Sequence, residues 1–329
     1  MLWQGVGVTQ LAPIITLTPA PAVDRTYIFD TLLPGEVHRA SEVRAELAGK
    51  GVNVTRGLAL AGVPSFAVVP LSQADVSSLE DELIHPHLVD TALRVNITLL
   101  EAGGRTTKVN ERPSALSADD WSAMIEKALN LSSLNHGSWI LLAGTIPPNK
   151  QGGPLNLLPL FHEAKELGIA VGLDTSGAPL FELARAGLPD VIKPNAPELA
   201  ECVGRSLQTL GDVIDAAQEV HDWGVAHVLV SLGADGMVGV SNTDVFHAHT
   251  EPVTVTNTIG AGDASVAGFL SHISHRPSEF GEAISRAVSW GALKVQEQSS
   301  QLQSLDGLVP AILTDNPDRS KKLREPGLF

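Results

Sequence analysis

The chain has 329 residues, 43% of them hydrophobic, so it can bury a large core, and alternating strand and helix patterns favour one α/β domain over residues 1–329. Its formal net charge of −15 argues against nucleic acid or an acidic membrane as a partner. No apolar run reaches the length of a membrane span, residues 1–20 lack a secretory pattern, and Cys202 is the single cysteine. We therefore expect a cytoplasmic protein without disulfides.

The front of the chain predicts a buried strand followed by a two-stranded flap. Residues 14–18 form a short apolar strand, and the prolines after it force a sharp exit from the sheet. Asp24 would then lie at the carboxyl end of the strand, where ligands bind in parallel sheets, although an Asp that only organises its own turn fits equally well. Residues 26–47 alternate polar and apolar around a turn at 33–35, which indicates a strand pair with one covered face.

A helix and a second two-faced strand pair come next. The stretch Ala48-Gly49-Lys50-Gly51-Val52-Asn53-Val54 opens a helix that ends at Gly62, with Lys50 and Asn53 in its first turn. We expect a strand, a helix, a loop and the second strand pair to follow, over 66–69, about 76–83, 85–87 and 92–110.

The middle of the chain predicts parallel-sheet units after a helix over about 119–131. Each unit is an apolar run that ends at a polar turn. The strands cover 139–143, 170–174 and 190–192, and the turns 144–148, 174–177 and 193–198. Another buried strand over 228–232 leads into the hairpin turn Gly233-Ala234-Asp235-Gly236.

Near the end of the chain, residues 253–270 read as a strand, a tight turn and a helix. Gly260 and Gly262 permit backbone conformations closed to other residues, so the amides of Ala261, Gly262 and Asp263 would point together from the helix N-terminus and bind an anion. A helix over about 278–297 and a loosely ordered tail over 314–329 complete the pattern.

Asp263 is the unusual residue of this turn. A carboxylate beside an anion-binding turn would repel a phosphate unless it had a task there, and a general base that faces an incoming hydroxyl would supply one. The alternative is that Asp263 only caps the helix, which is a common role for Asp.

Other groups of residues give weaker evidence of function. His247 and His249 alternate on one face of an exposed strand without a third ligand, so we expect no metal there, and Cys202 reads as a buried structural thiol. Gly260-x-Gly262 leaves an NAD-dependent oxidoreductase as an alternative, weakened by the missing third glycine of the dinucleotide fingerprint. A non-catalytic sugar-binding regulator is a further alternative, which would need the pocket but not Asp263.

Two motifs together resemble the signatures of the PfkB branch of the ribokinase-like sugar kinases. They are 48–54 near the front and Asn257-Thr258-Ile259-Gly260-Ala261-Gly262-Asp263 near the back. The turns at 144–148, 174–177, 193–198 and 231–236 also look like loops of that family. The greatest likeness is to 1-phosphofructokinases and tagatose-6-phosphate kinases, through Thr-Pro-x-Pro-Ala-Val-Asp at 18–24 and Lys-Gly-Val-Asn-Val at 50–54.

This resemblance implies a ribokinase-like, three-layer α/β/α fold with a mostly parallel central sheet and a small β lid from about 25–47 and 91–112. It implies an ATP- and Mg²⁺-dependent sugar-phosphate kinase, with the 6-hydroxyl of D-fructose 1-phosphate as the first choice of acceptor. Tagatose 6-phosphate and fructose 6-phosphate remain alternatives. The two-faced lid strands suggest a homodimer in which one lid covers another.

The resemblance also implies roles for individual residues. Asp263 would be the base and Gly260, Ala261 and Gly262 the anion hole. The sugar would contact Asp24, Gly49, Asn53 and Thr145. The nucleotide would contact Lys193, Asn195, Ser231, Gly233, Gly236 and Thr258, with Glu198 and Asn195 near Mg²⁺. Cations are scarce in this chain, and Lys50, Arg94 and lid residue Arg39 are our choices for the phosphate of the sugar.

The sequence departs from the family pattern in several places. Ala20 stands where relatives often have Asn, Ala48 replaces the first glycine of a pair, and Thr145 replaces a common serine. Residues 69–75 lack the glycine-rich turn that usually helps line the sugar site. The reaction type is therefore better defined than the substrate.

Overall fold

A ten-stranded sheet runs through the centre of the chain in the order β15-β14-β13-β12-β10-β9-β8-β1-β4-β5. The structure is a computed structural model and describes residues 11–77 and 79–329. The strands of this sheet are β1 Ile14–Leu17, β4 Ser65–Leu71, β5 Ile84–Leu88, β8 Trp139–Ala143, β9 Ala170–Asp174, β10 Val191–Ile192, β12 His227–Ser231, β13 Met237–Val240, β14 Val245–Thr250 and β15 Ala311–Thr314. In this sheet β5, β4, β1, β8, β9, β10 and β12 pair in parallel, and β13, β14 and β15 extend the sheet antiparallel.

Helices cover both faces of this sheet. They are α1 Lys50–Leu60, α2 Gln73–Ser77, α3 Ala118–Leu134, α4 Leu158–Glu166, α5 Ala178–Arg185, α6 Ala196–Val203, α7 Leu210–Asp222, α8 Ala261–Ile273 and α9 Phe280–Lys294. Successive strand residues point to opposite faces, so Ile14 belongs to the core cluster that contains residues of α1, α8 and α9, whereas Ile15 belongs to the cluster that contains residues of α3, α4 and α7. The α/β/α layering expected from the sequence is confirmed.

A separate four-stranded sheet forms the lid, in the order β3-β2-β6-β7. Its strands are β2 Ala22–Phe29, β3 Glu42–Ala48, β6 Arg94–Glu101 and β7 Thr106–Asn110. Asp24 therefore lies within a lid strand instead of in a turn after β1. The loop after α9 joins the lid to the body, because Ser300 donates a hydrogen bond to Glu46 and the Gln301 side chain donates to the carbonyl of Leu47.

The strand expected to begin at residue 253 does not form. This segment is irregular between β14 and α8. Pro252 removes a backbone donor, and the amides of Thr256 and Asn257 donate to the carbonyl of Val295 at the end of α9, at 2.7 and 3.0 Å. The segment is thus held by a helix end and not by a neighbouring strand.

The tail expected to be loosely ordered over 314–329 contains a strand. β16, Lys322–Gly327, pairs antiparallel with β11, Leu207–Thr209, and buries Leu323 against the core. The carboxylate of Asp235 fixes it, since it accepts the backbone N–H of Arg324 at 2.7 Å and lies 3.3 Å from Lys321 Nζ. These partners are distant in sequence, so local composition did not reveal them.

Two histidine segments also differ from expectation. Residues 85–87, expected to be a loop, belong to β5 at the sheet edge, where Pro86 removes no donor that an inner strand would need. His247 is buried instead of exposed, and its Nε2 lies 2.7 Å from the carbonyl oxygen of Asp235. No helix in the described part of the chain is long and apolar enough to cross a membrane.

Candidate active site

The loops that follow the carboxyl ends of the parallel strands meet the N-termini of α1, α6 and α8. Asp174 ends β9, Lys193 follows β10, and Ser231 ends β12. The loop after β8 joins this edge because the hydroxyl of Thr175 and the amide of Gly144 hold the two loops together. This is the edge at which open α/β sheets bind ligands.

Asp263 lies in the first turn of α8 and is 8% exposed. Its Oδ2 accepts a hydrogen bond of 2.8 Å from the side chain of Asn53 in the first turn of α1. The N-cap of α8 is Gly260, and no side-chain capping bond is present. The capping interpretation of Asp263 therefore finds no support, whereas a carboxylate oriented by a neighbouring amide fits a base.

The pKa of Asp263 is raised to about 6. Burial is the largest cause, and the nearby carboxylate of Asp174 adds to it, while Lys50, Asn53 and Lys193 act in the opposite direction. A carboxylate with a pKa near 6 is a better proton acceptor than an ordinary Asp and remains ionised at neutral pH.

Asp174 organises the cations around this base. Its carboxylate is 2% exposed and lies 2.9 Å from Lys50 Nζ and 3.7 Å from Lys193 Nζ. Burial opposes its charge, but the two ammonium groups lower the pKa of Asp174 below its ordinary value. In the sequence Asp174 is recognisable only as part of a turn, because nothing along the chain shows that it bridges two lysines.

The turn before α8 has the shape expected of an anion-binding loop. Gly260 has φ of +79°, and a Cβ there would lie 2.0 Å from the carbonyl oxygen of Ser300. A Cβ on Gly262 would lie 3.2 Å from Lys193 Nζ, so the side-chain amine packs directly over the glycine. Glycine is required at 260 by its backbone conformation and by the close carbonyl, whereas at 262 a side chain would only need the Lys193 amine to shift slightly.

Asn195 and Glu198 form a capping box at the start of α6. Asn195 Oδ1 accepts the amide of Glu198 at 2.8 Å, and Glu198 Oε2 accepts the amide of Asn195 at 2.9 Å. Ser231 is tied to the same loop, because its amide donates to the carbonyl of Pro194 at 3.0 Å. The segment 193–198 and the start of the turn 233–236 are thereby brought together.

The glycines of the 233–236 turn differ in their surroundings. A Cβ on Gly236 would lie 2.0 Å from the carbonyl oxygen of Ala248, so this glycine is required by hairpin packing. A Cβ on Gly233, whose φ is +56°, would lie 3.0 Å from a carboxylate oxygen of Glu325 in β16. The tail therefore borders the turn to which we assign the nucleotide.

Polar groups of the lid face the same cleft. Asp24 Oδ1 accepts a 3.0 Å hydrogen bond from Asn96 Nδ2, and burial raises the pKa of Asp24. Three buried oxygens nearby have no hydrogen-bond partner within the described residues: Thr18 Oγ1, Asn53 Oδ1 and Asn96 Oδ1. Such atoms normally have a partner, so they fit a ligand with several hydroxyl groups. Gly49 packs against Thr18, since a Cβ there would lie 2.8 Å from Thr18 Cγ2.

Three residues assigned to the sugar phosphate do not form one cluster. Lys50 pairs with Asp174. Arg94 donates to the backbone carbonyls of Ala20 and Glu111, and Arg39 lies exposed in the loop between β2 and β3. Thr145 and Thr258 are exposed in the loops after β8 and before α8. Their spacing along the chain did not determine which of them share a pocket.

Taken together, the described residues contain a buried base, two lysines on one carboxylate and a glycine turn at a helix N-terminus. Phosphoryl transfer requires positioning, charge neutralisation and a group that accepts the hydroxyl proton. An oxidoreductase would not need the carboxylate beside the anion turn, and a non-catalytic regulator would not need that carboxylate to be oriented by Asn53. The fold and site are those of a phosphotransferase.

Comparison with known proteins agrees with this class. The model of the family described as pfkB family carbohydrate kinase matches residues 11–306 of the chain. The chain therefore belongs to the pfkB family of carbohydrate kinases. It is 34% identical over 276 residues to a 1-phosphofructokinase of Haloferax volcanii, covering 81% of this chain and 86% of the relative.

Two further comparisons concern Escherichia coli. The chain is 31% identical over 301 residues to ATP-dependent 6-phosphofructokinase isozyme 2, covering 89% of this chain and 96% of the relative. It superposes with a TM-score of 0.79 and 28% identity on the crystal structure of phosphofructokinase-2 in complex with fructose-6-phosphate, over 87% of this chain and 94% of that one.

Proposed function

We propose that this carbohydrate kinase transfers the γ-phosphoryl group of ATP to the 6-hydroxyl of D-fructose 1-phosphate. The observation that carries the proposal is the buried Asp263 carboxylate, oriented by Asn53 and lying beside the cations that Asp174 holds. The similarity to 1-phosphofructokinases supports the choice of sugar.

In the proposed reaction, Asp263 accepts the proton of the sugar 6-hydroxyl. The hydroxyl oxygen then bonds to the γ-phosphorus of ATP as the bond between that phosphorus and the ADP oxygen breaks. The amides of residues 260–263 stabilise the negative charge on the equatorial oxygens. Lys50 and Lys193 neutralise charge that accumulates as ADP leaves. The partial burial of this edge strengthens each of these interactions.

The nucleotide and Mg²⁺ fit the groups beside this turn. We assign the nucleotide to Lys193, Asn195, Ser231, Gly233, Gly236 and Thr258. Glu198 uses Oε2 in the capping box and keeps Oε1 for another contact. Magnesium is usually held by one or two carboxylates together with substrate phosphates. Here the Glu198 carboxylate and the Asn195 side chain would hold it beside the phosphates of ATP, and it would neutralise part of their charge.

The sugar fits the lid side of the cleft. Asp24 and Asn96 lie on the lid face that carries Glu46, and that face turns toward the body because Ser300 reaches Glu46. We assign the hydroxyls to Asp24, Gly49, Asn53 and Thr145. The phosphate of the sugar is assigned to Arg94, with Arg39 as a further cation, whereas Lys50, which pairs with Asp174, is assigned to the transferring phosphoryl group.

A panel of acceptors in a coupled ADP-release assay tests the substrate. We expect kcat/KM for fructose 1-phosphate to exceed that for fructose 6-phosphate, tagatose 6-phosphate and free fructose by at least about tenfold, because losing a charge-assisted phosphate contact costs about 1.5–3 kcal/mol. Fructose 6-phosphate is the second candidate, since a relative with that activity matches most of the chain. Equal turnover of free fructose would overturn the proposal.

We further propose that the lid forms a homodimer through its outer face. Alternation puts Tyr27, Val43 and Leu99, which are in register across β2, β3 and β6, on the face opposite Asp24. Val43 is 52% exposed and Val109 on β7 is 54% exposed. An apolar sheet face of this kind is typical of an interface.

Val43→Asp should therefore convert a dimer into a monomer in light scattering at micromolar concentration, because the charge would be buried without a partner. Leu134→Asp is the matched control, since Leu134 is 80% exposed at the end of α3 and lies outside the lid. The dimer proposal fails if the unaltered protein is monomeric or if Val43→Asp stays dimeric.

A further inference from the structure

Lys294 is a buried amine without a partner. It is 0% exposed, and its Nζ has no hydrogen-bond partner within the described residues. An unpaired buried ammonium costs several kcal/mol in general, so native chains rarely keep one without a compensating group. The roles assigned above do not include it.

The position of Lys294 points to the catalytic turn. It is the last residue of α9, and a Cβ on Gly260 would lie 3.4 Å from Lys294 Cε. Lys193 approaches the same turn at Gly262, so the two ammonium side chains flank it. Positive charge beside the N-terminus of α8 is unfavourable by itself; the Asp263 carboxylate in the first turn offsets part of it, and a bound anion would offset more.

The surrounding backbone encloses this amine. Hydrogen bonds join the segment before α8 to the end of α9 and the loop after it. The amides of Thr256 and Asn257 donate to the carbonyl of Val295, and the Asn257 side chain donates to the carbonyl of Gln298. Ser300 packs against Gly260 from the same loop. Lys294 is thereby held behind the anion turn and away from solvent.

We propose that Lys294 is a positioning residue whose ammonium lies behind the anion turn and stabilises the negative charge of the transferring phosphoryl group. The proposal rests on the kinase reaction described above but on no particular sugar. Lys294 acts through the backbone of Gly260, and the phosphoryl group adds negative charge close to an amine that has no direct partner among the described residues.

The charges around Lys294 agree with this role. Burial lowers the pKa of its amine, whereas Glu297, Asp263 and Glu46 favour the charged form. Asp263 in turn faces Asp174, Lys50 and Lys193. Removing the Lys294 charge should therefore raise the pKa of Asp263 further, because one of the positive charges that favours its ionised form is lost.

Lys294→Met tests the proposal, because methionine has a similar length and no charge. We expect kcat to fall about tenfold to a hundredfold, less than the roughly 10²–10³ lost with a direct oxyanion donor, since Gly260 lies between. The dissociation constant of MgATP in calorimetry should rise, and the acidic limb of the kcat/KM profile should move to higher pH. The melting temperature should stay equal or rise, because an unpaired buried charge has gone.

Lys127→Met is the matched control. Lys127 is a half-buried lysine on α3 whose Nζ does have a partner, the carbonyl of Pro86 at 2.6 Å. This variant should lose stability and keep kcat and the pH profile. The assays use whichever sugar phosphate the unaltered enzyme phosphorylates best, so an error in the assigned sugar leaves the test intact.

Lys294→Met with unchanged kcat, MgATP affinity and acidic limb would overturn the proposal. A loss of melting temperature like that of Lys127→Met, with kcat per folded molecule unchanged, would also overturn it, because Lys294 would then only support the fold.

Discussion

Asp263→Asn should lower kcat by about a hundredfold to ten-thousandfold, while MgATP and the sugar phosphate still bind. Asparagine keeps the size of the side chain and can accept the same hydrogen bond from Asn53, but it cannot take the hydroxyl proton. The measurement is kcat of the purified variant together with its melting temperature. A stable variant with near-normal turnover would contradict the base assignment.

The raised pKa of Asp263 also predicts how the substitution changes the stability of the protein. Because folding raises the pKa of Asp263 from its ordinary 3.8 to about 6, its contribution to stability is present below the unfolded pKa and lost as pH rises through 6. At pH 7–8 the ionised group opposes folding, so Asp263→Asn should melt at the same temperature as the unaltered protein or higher. In the unaltered enzyme, kcat/KM should fall about tenfold per pH unit below 6, as the base becomes protonated.

Asp212 offers a matched control for this substitution. It occupies the same position in the first turn of α7 that Asp263 occupies in α8, but its carboxylate accepts the amides of Gln208 and Thr209 in a capping box. Those bonds lower the pKa of Asp212, the opposite of the shift at Asp263. Asp212→Asn should leave kcat unchanged and alter only stability, by about 1 kcal/mol or less.

Asp174→Asn should lower both stability and activity, because Lys50 and Lys193 would lose their shared counter-ion. We expect the free energy of unfolding to fall by about 3 kcal/mol, at the low end for a broken buried pair because the Lys50 side chain is 38% exposed. Displaced lysines should lower kcat/KM by about a hundredfold. Denaturant titration and steady-state kinetics measure the two effects.

The pH profile distinguishes this explanation from simple unfolding. Asp174 is the charged neighbour that raises the pKa of Asp263, so its removal should move the acidic limb of kcat/KM to lower pH. Lys294→Met should move it the other way. Asp190→Asn is the control, since Asp190 accepts the amide of Val171 at the opposite edge of the sheet and should change neither limb nor kcat. An unmoved limb in Asp174→Asn would contradict the charge cluster.

The sequence by itself determined the layered fold and the two chemistry-bearing turns. Apolar runs followed by polar turns define parallel strands, and helix start signals place Lys50, Asn53 and Asp263 in first turns. These features are local, because strand period, glycine conformation and capping depend on residues a few positions apart. The same locality explains the error at 253–257, where β-branched residues suggested a strand that the end of α9 replaces.

Only the tertiary structure decided which charged and polar side chains pair with each other. Asp174 meets Lys50 across 124 positions, Asn53 meets Asp263 across 210, and the tail meets Asp235 across 89. Such pairs leave no periodic signal, since each partner is an ordinary polar residue in its own segment. Burial likewise depends on the whole packing, and it is burial that raises the pKa of Asp263 and leaves the Lys294 amine without solvent.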